Sequence, residues 1–278
     1  MTVTEEAPGD GVGMPAPSSA SGAPIGGRDV AKIFGTGEGA FTAIDGVSFT
    51  IEGGEFVSLI GPSGCGKSTL MLICAGLVPA SRGEILIDGQ RLDRPLTDVG
   101  IVFQDHLLLE FRTALDNILL QPKIRGLPMP PARQEALRLL DKLGIAREAA
   151  DRYPKQLSGG MRQRVSIARA LIHRPSVLLM DEPFGALDAI TRLQIRHDLE
   201  VLWMETRKTV LFITHSIEEA IGLSDRVLVM SPSPGRIVDE IAIDLPRPRP
   251  AHLGEYASFN AYAERIHDAF RRMGVIRY

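Results

Sequence analysis

The chain has 278 residues, 31 Lys and Arg against 34 Asp and Glu, and a net charge of −3, with 44% hydrophobic residues. At roughly 150 residues per domain this is one or two units with ample material for a core, and the slight acidity argues against nucleic acid as the main partner. Cys65 and Cys74 offer no disulfide framework and suit a reduced, cytoplasmic setting, and no apolar run approaches the roughly 18 to 20 residues that cross a bilayer, so any membrane role is expected to be peripheral and through partners.

The N-terminus carries Glu5 and Glu6, no basic residue before Arg28 and no apolar h-region, which excludes a secretory signal. Residues 1–27 are rich in Gly, Pro, Ser and Ala and are expected to be a disordered tail, with order beginning near Arg28. Two strand-like runs between Val47 and Ile60 are separated by the turn Glu52-Gly53-Gly54.

The second run, Glu55 to Ile60, leads into Gly61-Pro62-Ser63-Gly64-Cys65-Gly66-Lys67-Ser68, a match to G-x-x-x-x-G-K-[ST] at every specified position. Thr69 to Leu77 then reads as a helix, and the apolar stretch from Leu70 to Ala80 as a core helix. A strand, a Gly-rich turn and a helix N-terminus aim backbone N–H groups at one point, with about half a positive charge added by the helix, and a polyphosphate fits there. Lys67 would reach the β- and γ-phosphates and the Ser68 hydroxyl would ligate Mg²⁺. Glu84 to Ile87 followed by Asp88-Gly89 predicts another strand and a tight turn.

From about Leu107 to Ile172 the texture turns helical: Ala136, Leu137, Leu140 and Leu143 recur at helical spacing after Pro130-Pro131, and Gly144 stops the run. After Ser176 strands and helices alternate again, which implies a parallel sheet covered by helices. Three apolar runs end in chemistry: Val99 to Phe103 at Gln104, Val177 to Met180 at Asp181-Glu182, and Val210 to Thr214 at His215. In a parallel sheet these ends share one edge with the strand that feeds the phosphate loop, the edge where open α/β sheets bind ligands. There Asp181 can hold the hydration shell of Mg²⁺ and Glu182 can accept a proton from an attacking water. His215 can bond the γ-phosphate or orient that water, and Gln104 can supply an oxygen to Mg²⁺ or water and link the site to the helical insertion.

Leu157-Ser158-Gly159-Gly160-Met161 opens a helix running to about His173, and Ser158, Gly159 and Gly160 at its start form a second anion site. Two phosphate-binding helix ends with one catalytic set are reconciled by a dimer, each nucleotide lying between the loop of one copy and this turn of the other. From Tyr256 to Arg272, Phe259, Tyr262, Ile266 and Phe270 fall on one helical face, expected to pack on the chain's own core.

In this order the phosphate loop, Gln104, the Leu157–Met161 signature, the Leu178–Glu182 strand end, Gly185-Ala186-Leu187-Asp188 and His215 resemble the nucleotide-binding subunit of an ABC transporter over roughly residues 28–250. The resemblance implies an α/β fold: a P-loop NTPase (RecA-like) core with an antiparallel β subdomain and an α-helical subdomain inserted at about 107–172, followed by a helical extension over 251–278. It implies an ATPase that uses ATP and Mg²⁺, with Phe34 stacking on adenine, Phe41 a lesser candidate, and Gly61 to Thr69, Gln104, Ser158 to Gly160, Asp181, Glu182 and His215 around the nucleotide. Ser68, Gln104 and Asp181 would serve the metal; Lys67, Gln104, Glu182 and His215 would serve catalysis. The implied partners are a second copy, polytopic membrane permease subunits and, indirectly, a solute-binding protein, at the cytoplasmic face of the plasma membrane.

Glu110 to Asn117, Met230 to Ile237 and Asp244 to Arg249 resemble the importer branch for nitrate, sulfonate, taurine and related small solutes. Phe111 stands where that branch usually has Trp. Ser216 follows His215 where Asp is common, and Ser216 with Glu219 forms an S-x-x-E capping box that preserves the helix start. The alternative reading is an ABC ATPase that transports nothing; such proteins usually carry two cassettes or a long coiled-coil insertion, and this chain has neither.

Overall fold

The computed structural model describes residues 22–276 apart from 251, 253, 255 and 257. The expected N-terminal tail up to residue 21 lies outside the described residues. Order begins sooner than Arg28: strand β1 is Ile25–Phe34, and Ile25 is fully buried. The run Gly26-Gly27 disguises this strand, although Gly27 is placed where a Cβ would press into the ring of Phe49. Strand β1 pairs antiparallel with β2 (Phe41–Ile51) and β4 (Arg82–Ile87), and β4 turns through Asp88 and Gly89, both at positive φ, into β5 (Gln90–Arg91). These four strands form the antiparallel sheet, in the order β2-β1-β4-β5.

The second sheet has six strands in the order β10-β9-β3-β8-β7-β6. They are β3 (Phe56–Ile60), β6 (Val99–Val102), β7 (Val177–Asp181), β8 (Thr209–Thr214), β9 (Arg226–Met230) and β10 (Ile237–Ala242). All pair in parallel except β10 with β9. Strands β3, β7 and β8 are buried from end to end, as a parallel sheet covered on both faces requires. Their pleat divides the core: Phe56 and Phe212 face one cluster, Val57, Leu59, Leu211 and Ile213 the other.

Helix α1 (Lys67–Cys74) follows β3 and is shorter than the apolar stretch from Leu70 to Ala80. Gly76 at φ 72° turns the chain out, close under the carbonyl of Arg94, and leaves Leu77 half exposed. Between β6 and β7 lie α2 (Ala114–Ile118), α3 (Leu120–Ile124), α4 (Met129–Lys142) and α5 (Gly159–Leu171). Gly144, at φ 64°, ends α4 as the spacing predicts. Helix α5 is buried well beyond one apolar stripe: Gln163 Oε1 accepts from His106 Nδ1 at 2.6 Å, and Arg164 holds Asp198 and the carbonyl of Leu143.

Helices α6 (Ala189–Thr206) and α7 (Ile217–Leu223) cover the sheet beyond β7 and β8. Arg192, Arg196 and Glu200, one turn apart on α6, meet Glu219, Glu218 and Arg247 respectively. Arg249 is buried behind them and donates to the carbonyls of Ile221 (2.6 Å) and Ser224 (2.7 Å). The last helix, α8 (Phe259–Arg272), begins three residues later than Tyr256, and Phe259, Tyr262, Ile266 and Phe270 all pack into the cluster of Ala220, Ile221, Val229 and Ile241. The stripe therefore covers the chain's own core.

Candidate functional site

The register of the large sheet brings four strand ends level. Ile60 lies beside Thr214, Asp181 beside Ile213, and Val102 beside Met180. The chain leaves these ends as Gly61, His215, Glu182 and the Phe103-Gln104 turn, so the four candidate segments emerge on one edge.

The loop from Gly61 to Gly66 arches over the start of α1. Gly64 and Gly66 take φ of 76° and 98°, a region that side chains disfavour. At Gly66 a Cβ would also stand 2.5 Å from Ile44 Cγ2 and 2.9 Å from the carbonyl of Ala43, so only glycine allows the loop this close to β2. Gly66 is the cap residue of α1 and offers no side chain, which leaves the N–H groups of the first turn free for an anion. Lys67 is buried and its Nζ donates to the carbonyls of Gly61 (2.9 Å) and Pro62 (3.0 Å) in its own loop.

A cavity of about 400 Å³ opens above this loop, lined by Ser63 to Thr69, Ala43, Phe34, Phe41, Gln104 and Glu182. Phe34 and Phe41 are directly opposed across the β1–β2 pair and both are about half exposed, so they present two ring faces to the same mouth. Lys32 Nζ sits 5.0 Å from the Phe34 ring.

Asp181 ends β7 beside Ser68 and does not itself line the cavity. Burial pushes its carboxyl above the usual carboxylate range; the Ser68 hydroxyl beside it pulls the other way, Glu182 adds to the rise and Lys67 opposes it. Its Oδ1 is shut off from solvent without a hydrogen-bond partner. Glu182 takes φ of 42°, and its N–H donates to the carbonyl of Ile213 at 2.9 Å, which ties the turn to β8. Its Oε2 lies 3.0 Å from His215 Nδ1, and His215 is largely exposed. A carboxylate held by one imidazole nitrogen, with the ring open to solvent, can accept a proton from water while the imidazole orients it.

Beyond His215, only half of the expected capping box forms. Ser216 Oγ accepts from the N–H of Glu219 at 3.3 Å, but the N–H of Ser216 donates to Thr214 Oγ1. The Glu219 carboxylate is buried, bonded by the Thr214 hydroxyl at 2.5 Å and faced by Arg192, so it does not reach back to the cap.

Ser158, Gly159 and Gly160 do not line the cavity. Ser158 caps α5, its Oγ accepting from the N–H of Met161 at 3.2 Å; a Cβ built on Gly159 would meet open space, whereas Gly160 is buried and a Cβ there would press on Thr191. Asp188 caps α6 through Thr191, a bond that holds its carboxyl below the usual range.

Two residues escaped the sequence reading. Ala43 lines the cavity wall. Asn117, fully buried, receives the N–H of Leu109 and donates to the carbonyls of Leu109, Arg112 and Thr113, which organises the segment leaving Gln104. Its signal was an amide at the fourth position of a helix whose start Thr113 already caps.

A phosphate loop at the carboxyl edge of a parallel sheet, with an acidic pair and a histidine on the neighbouring strand ends, defines a P-loop nucleoside triphosphatase. The family model described as ABC transporter matches residues 44–185. A taurine import ATP-binding protein of Rhizobium johnstonii is 49% identical over 219 residues, 79% of this chain and 83% of that one. An aliphatic sulfonates import ATP-binding protein of Bacillus cereus is 40% identical over 250 residues, 90% and 97% of the two chains. A solved ATP-binding cassette, dimeric in a post-hydrolysis state with ADP and Pi, superposes with a TM-score of 0.71 at 33% identity, over 80% of this chain and all of that one. The chain belongs to the ABC transporter family and is one of its ATP-binding, ATP-hydrolysing subunits.

Proposed function

We propose that this subunit drives import of a small sulfonate-like solute such as taurine through separate membrane permease subunits, working as a peripheral ATPase on the cytoplasmic face and supplied by a solute-binding protein. The relatives named for taurine and aliphatic sulfonate import support the substrate class. Nitrate, the third solute suggested by the sequence, has no such support among these relatives. No helix among the described residues is long and apolar enough to cross a membrane, so the pathway would belong to the partners. The helical segment of about 107–172 would carry motion to them.

The observation that carries the catalytic reading is the Glu182–His215 contact of 3.0 Å at the mouth of the phosphate-loop cavity. Glu182 would accept the proton of the attacking water, His215 would orient that water or the γ-phosphate, and Lys67 would exchange its loop carbonyls for phosphate oxygens. Phe34, with Phe41 opposite, would take the adenine. Ser68, Asp181 and Gln104 fit Mg²⁺: a hydroxyl, a carboxylate with an unpartnered buried oxygen and an amide make a sparse oxygen set, and no group of three His, Cys, Asp or Glu that could hold a metal occurs among the described residues. A sparse set suits an ion that keeps water and phosphate as ligands. When bound, Mg²⁺ would neutralise charge on the phosphates.

Two copies would enclose two ATP molecules, each between one copy's phosphate loop and the other's Ser158–Gly160 turn. The solved cassette that is dimeric with ADP and Pi supports a dimer as the working form. The test of the catalytic reading is Glu182→Gln, which keeps the shape and loses the basicity. ATP binding is retained and hydrolysis slows by about 10²- to 10⁴-fold. Turnover within a few-fold of wild type removes Glu182 from the role. Co-purification with a polytopic permease, and solute uptake by the reconstituted complex, separates transport from a non-transport ATPase.

A further inference from the structure

We propose that the segment Ser231-Pro232-Ser233-Pro234-Gly235-Arg236 is a clasp that sets the phosphate loop against β2, with Gly235 a positioning residue for ATP. The inference rests on the reading of Gly61–Ser68 as the ATP phosphate site and assigns that site a support from the turn between β9, the strand next to β3, and β10.

The phosphate loop is wedged at three points. Gly61 has no room for a Cβ, which would stand 2.9 Å from the carbonyl of Met230. Gly66 is pressed against Ala43 and Ile44. Between them, a Cβ on Gly235 would overlap the carbonyl oxygen of Cys65 and the end of the Met230 side chain. The methionine can swing away; the Cys65 carbonyl belongs to the loop backbone and moves only if the loop moves.

Gly235 is itself fixed. Its N–H donates to the carbonyl of Ala43 at 2.9 Å, and its carbonyl accepts from the N–H of Asp45 at 3.1 Å, a short bridge onto Ile44 in β2. The turn is closed internally: Ser231 N–H donates to the Arg236 carbonyl at 2.8 Å, and Arg236 N–H to Ser231 Oγ at 2.9 Å. Arg236 then pairs with Asp45, whose other oxygen meets Arg82 of β4 at 3.2 Å. Ser233 Oγ donates to the carbonyl of Thr42, next to Phe41. One turn thus fastens the strand that carries an aromatic face of the cavity to the loop beneath the phosphates. It lies away from Glu182 and His215, so it sets binding geometry and leaves the proton-accepting pair alone.

The experiment compares Gly235→Ala, Arg236→Gln and Arg236→Lys with the parent chain. ATP affinity is measured by titration calorimetry in a Glu182→Gln background, and steady-state hydrolysis in the otherwise unaltered chain, with Lys67→Ala as the binding-negative control. Gly235→Ala is expected to raise Kd and KM for ATP by about tenfold or more, with kcat at saturating ATP within about twofold of the parent. A Kd within twofold of the parent overturns the proposal. If the alanine variant does not fold, Arg236→Gln decides, since it frees the clasp from Asp45 without adding an atom near the loop. It is expected to weaken ATP several-fold while Arg236→Lys, which keeps the charge, stays within about twofold. Equal Kd for parent, Gln and Lys variants overturns the clasp, as does equal loss in Gln and Lys. Should the parent itself fail to bind ATP, it is the phosphate-site reading that falls, and the clasp with it.

Discussion

His173 gives the fold a built-in sensitivity to mild acid. It follows α5, where both ring nitrogens are shut off from solvent. Its pKa is lowered from 6.5 to about 4, chiefly by burial and also by the Arg125 guanidinium, with Asp98 and a backbone bond at Val99 offsetting only part of this. The folded chain therefore holds a neutral imidazole down to about pH 4, whereas the unfolded chain takes up a proton near pH 6.5. Below pH 6.5 the unfolded state binds more protons, so stability falls as pH falls through the window from about 6.5 to about 4. A gap of this size is worth about 3 kcal/mol in full, of which about 2 kcal/mol is already lost at pH 5 and almost none at pH 7.5. For a chain of this length that is a fall in Tm of about 4–8 °C from this residue alone. His173→Gln, which does not titrate, removes that component. Thermal melts of both chains at pH 7.5 and pH 5.0 measure it: the wild type is expected to lose about 2 kcal/mol more than the variant on acidification. The same loss in both chains refutes the reasoning, because carboxylates elsewhere affect the two equally.

Removal of residues 1–21 is expected to leave Tm and ATPase activity nearly unchanged, whereas a deletion extended through Ile25 loses a fully buried side chain and the bonds of Gly22 to Arg207 and of Asp88 to Pro24; similar Tm for the two deletions would refute this. Asp181→Asn is expected to raise the Tm of the nucleotide-free protein, since burial disfavours the charged carboxylate, while hydrolysis is lost; a lower Tm with activity retained would contradict it. Lys67→Ala and Ser158→Arg homodimers are each expected to be inactive, and a mixture of the two to recover hydrolysis, because in a mixed dimer both changes fall on one composite site and the other stays intact. No recovery, together with crosslinks between positions 63 and 158 only within one chain, would place Ser158 in its own subunit's site.

Much of the site was legible because its chemistry hangs on local rules. The phosphate loop, the apolar runs that stop at Gln104, Asp181 and His215, and the Ser158 cap are each read from a few adjacent residues. What escaped depends on distant partners. Gly26 and Gly27 read as tail by composition, yet β4 and β2 flank them and make them strand. Glu219 sits at the spacing of a capping box, but Thr214 and Arg192 claim its carboxylate first. The run from Leu70 to Ala80 has helical composition throughout, and only the close approach of Gly76 to Arg94 shows why α1 stops at Cys74. Phe41 gained weight against Phe34 solely through a cross-strand register that no periodicity in the chain reveals.

The contacts of Lys67 change what affinity for a triphosphate means here. Its ammonium already has two carbonyl partners from its own loop. On the proposed reading a phosphate would not rescue an unpaired cation; it would replace neutral acceptors with charged ones, and two backbone oxygens would then have to find water or turn aside. The strength of binding is therefore a difference between two well-satisfied arrangements, smaller than the raw attraction of an ammonium for a phosphate. That smallness is useful in a machine that must let its product go as readily as it took its fuel.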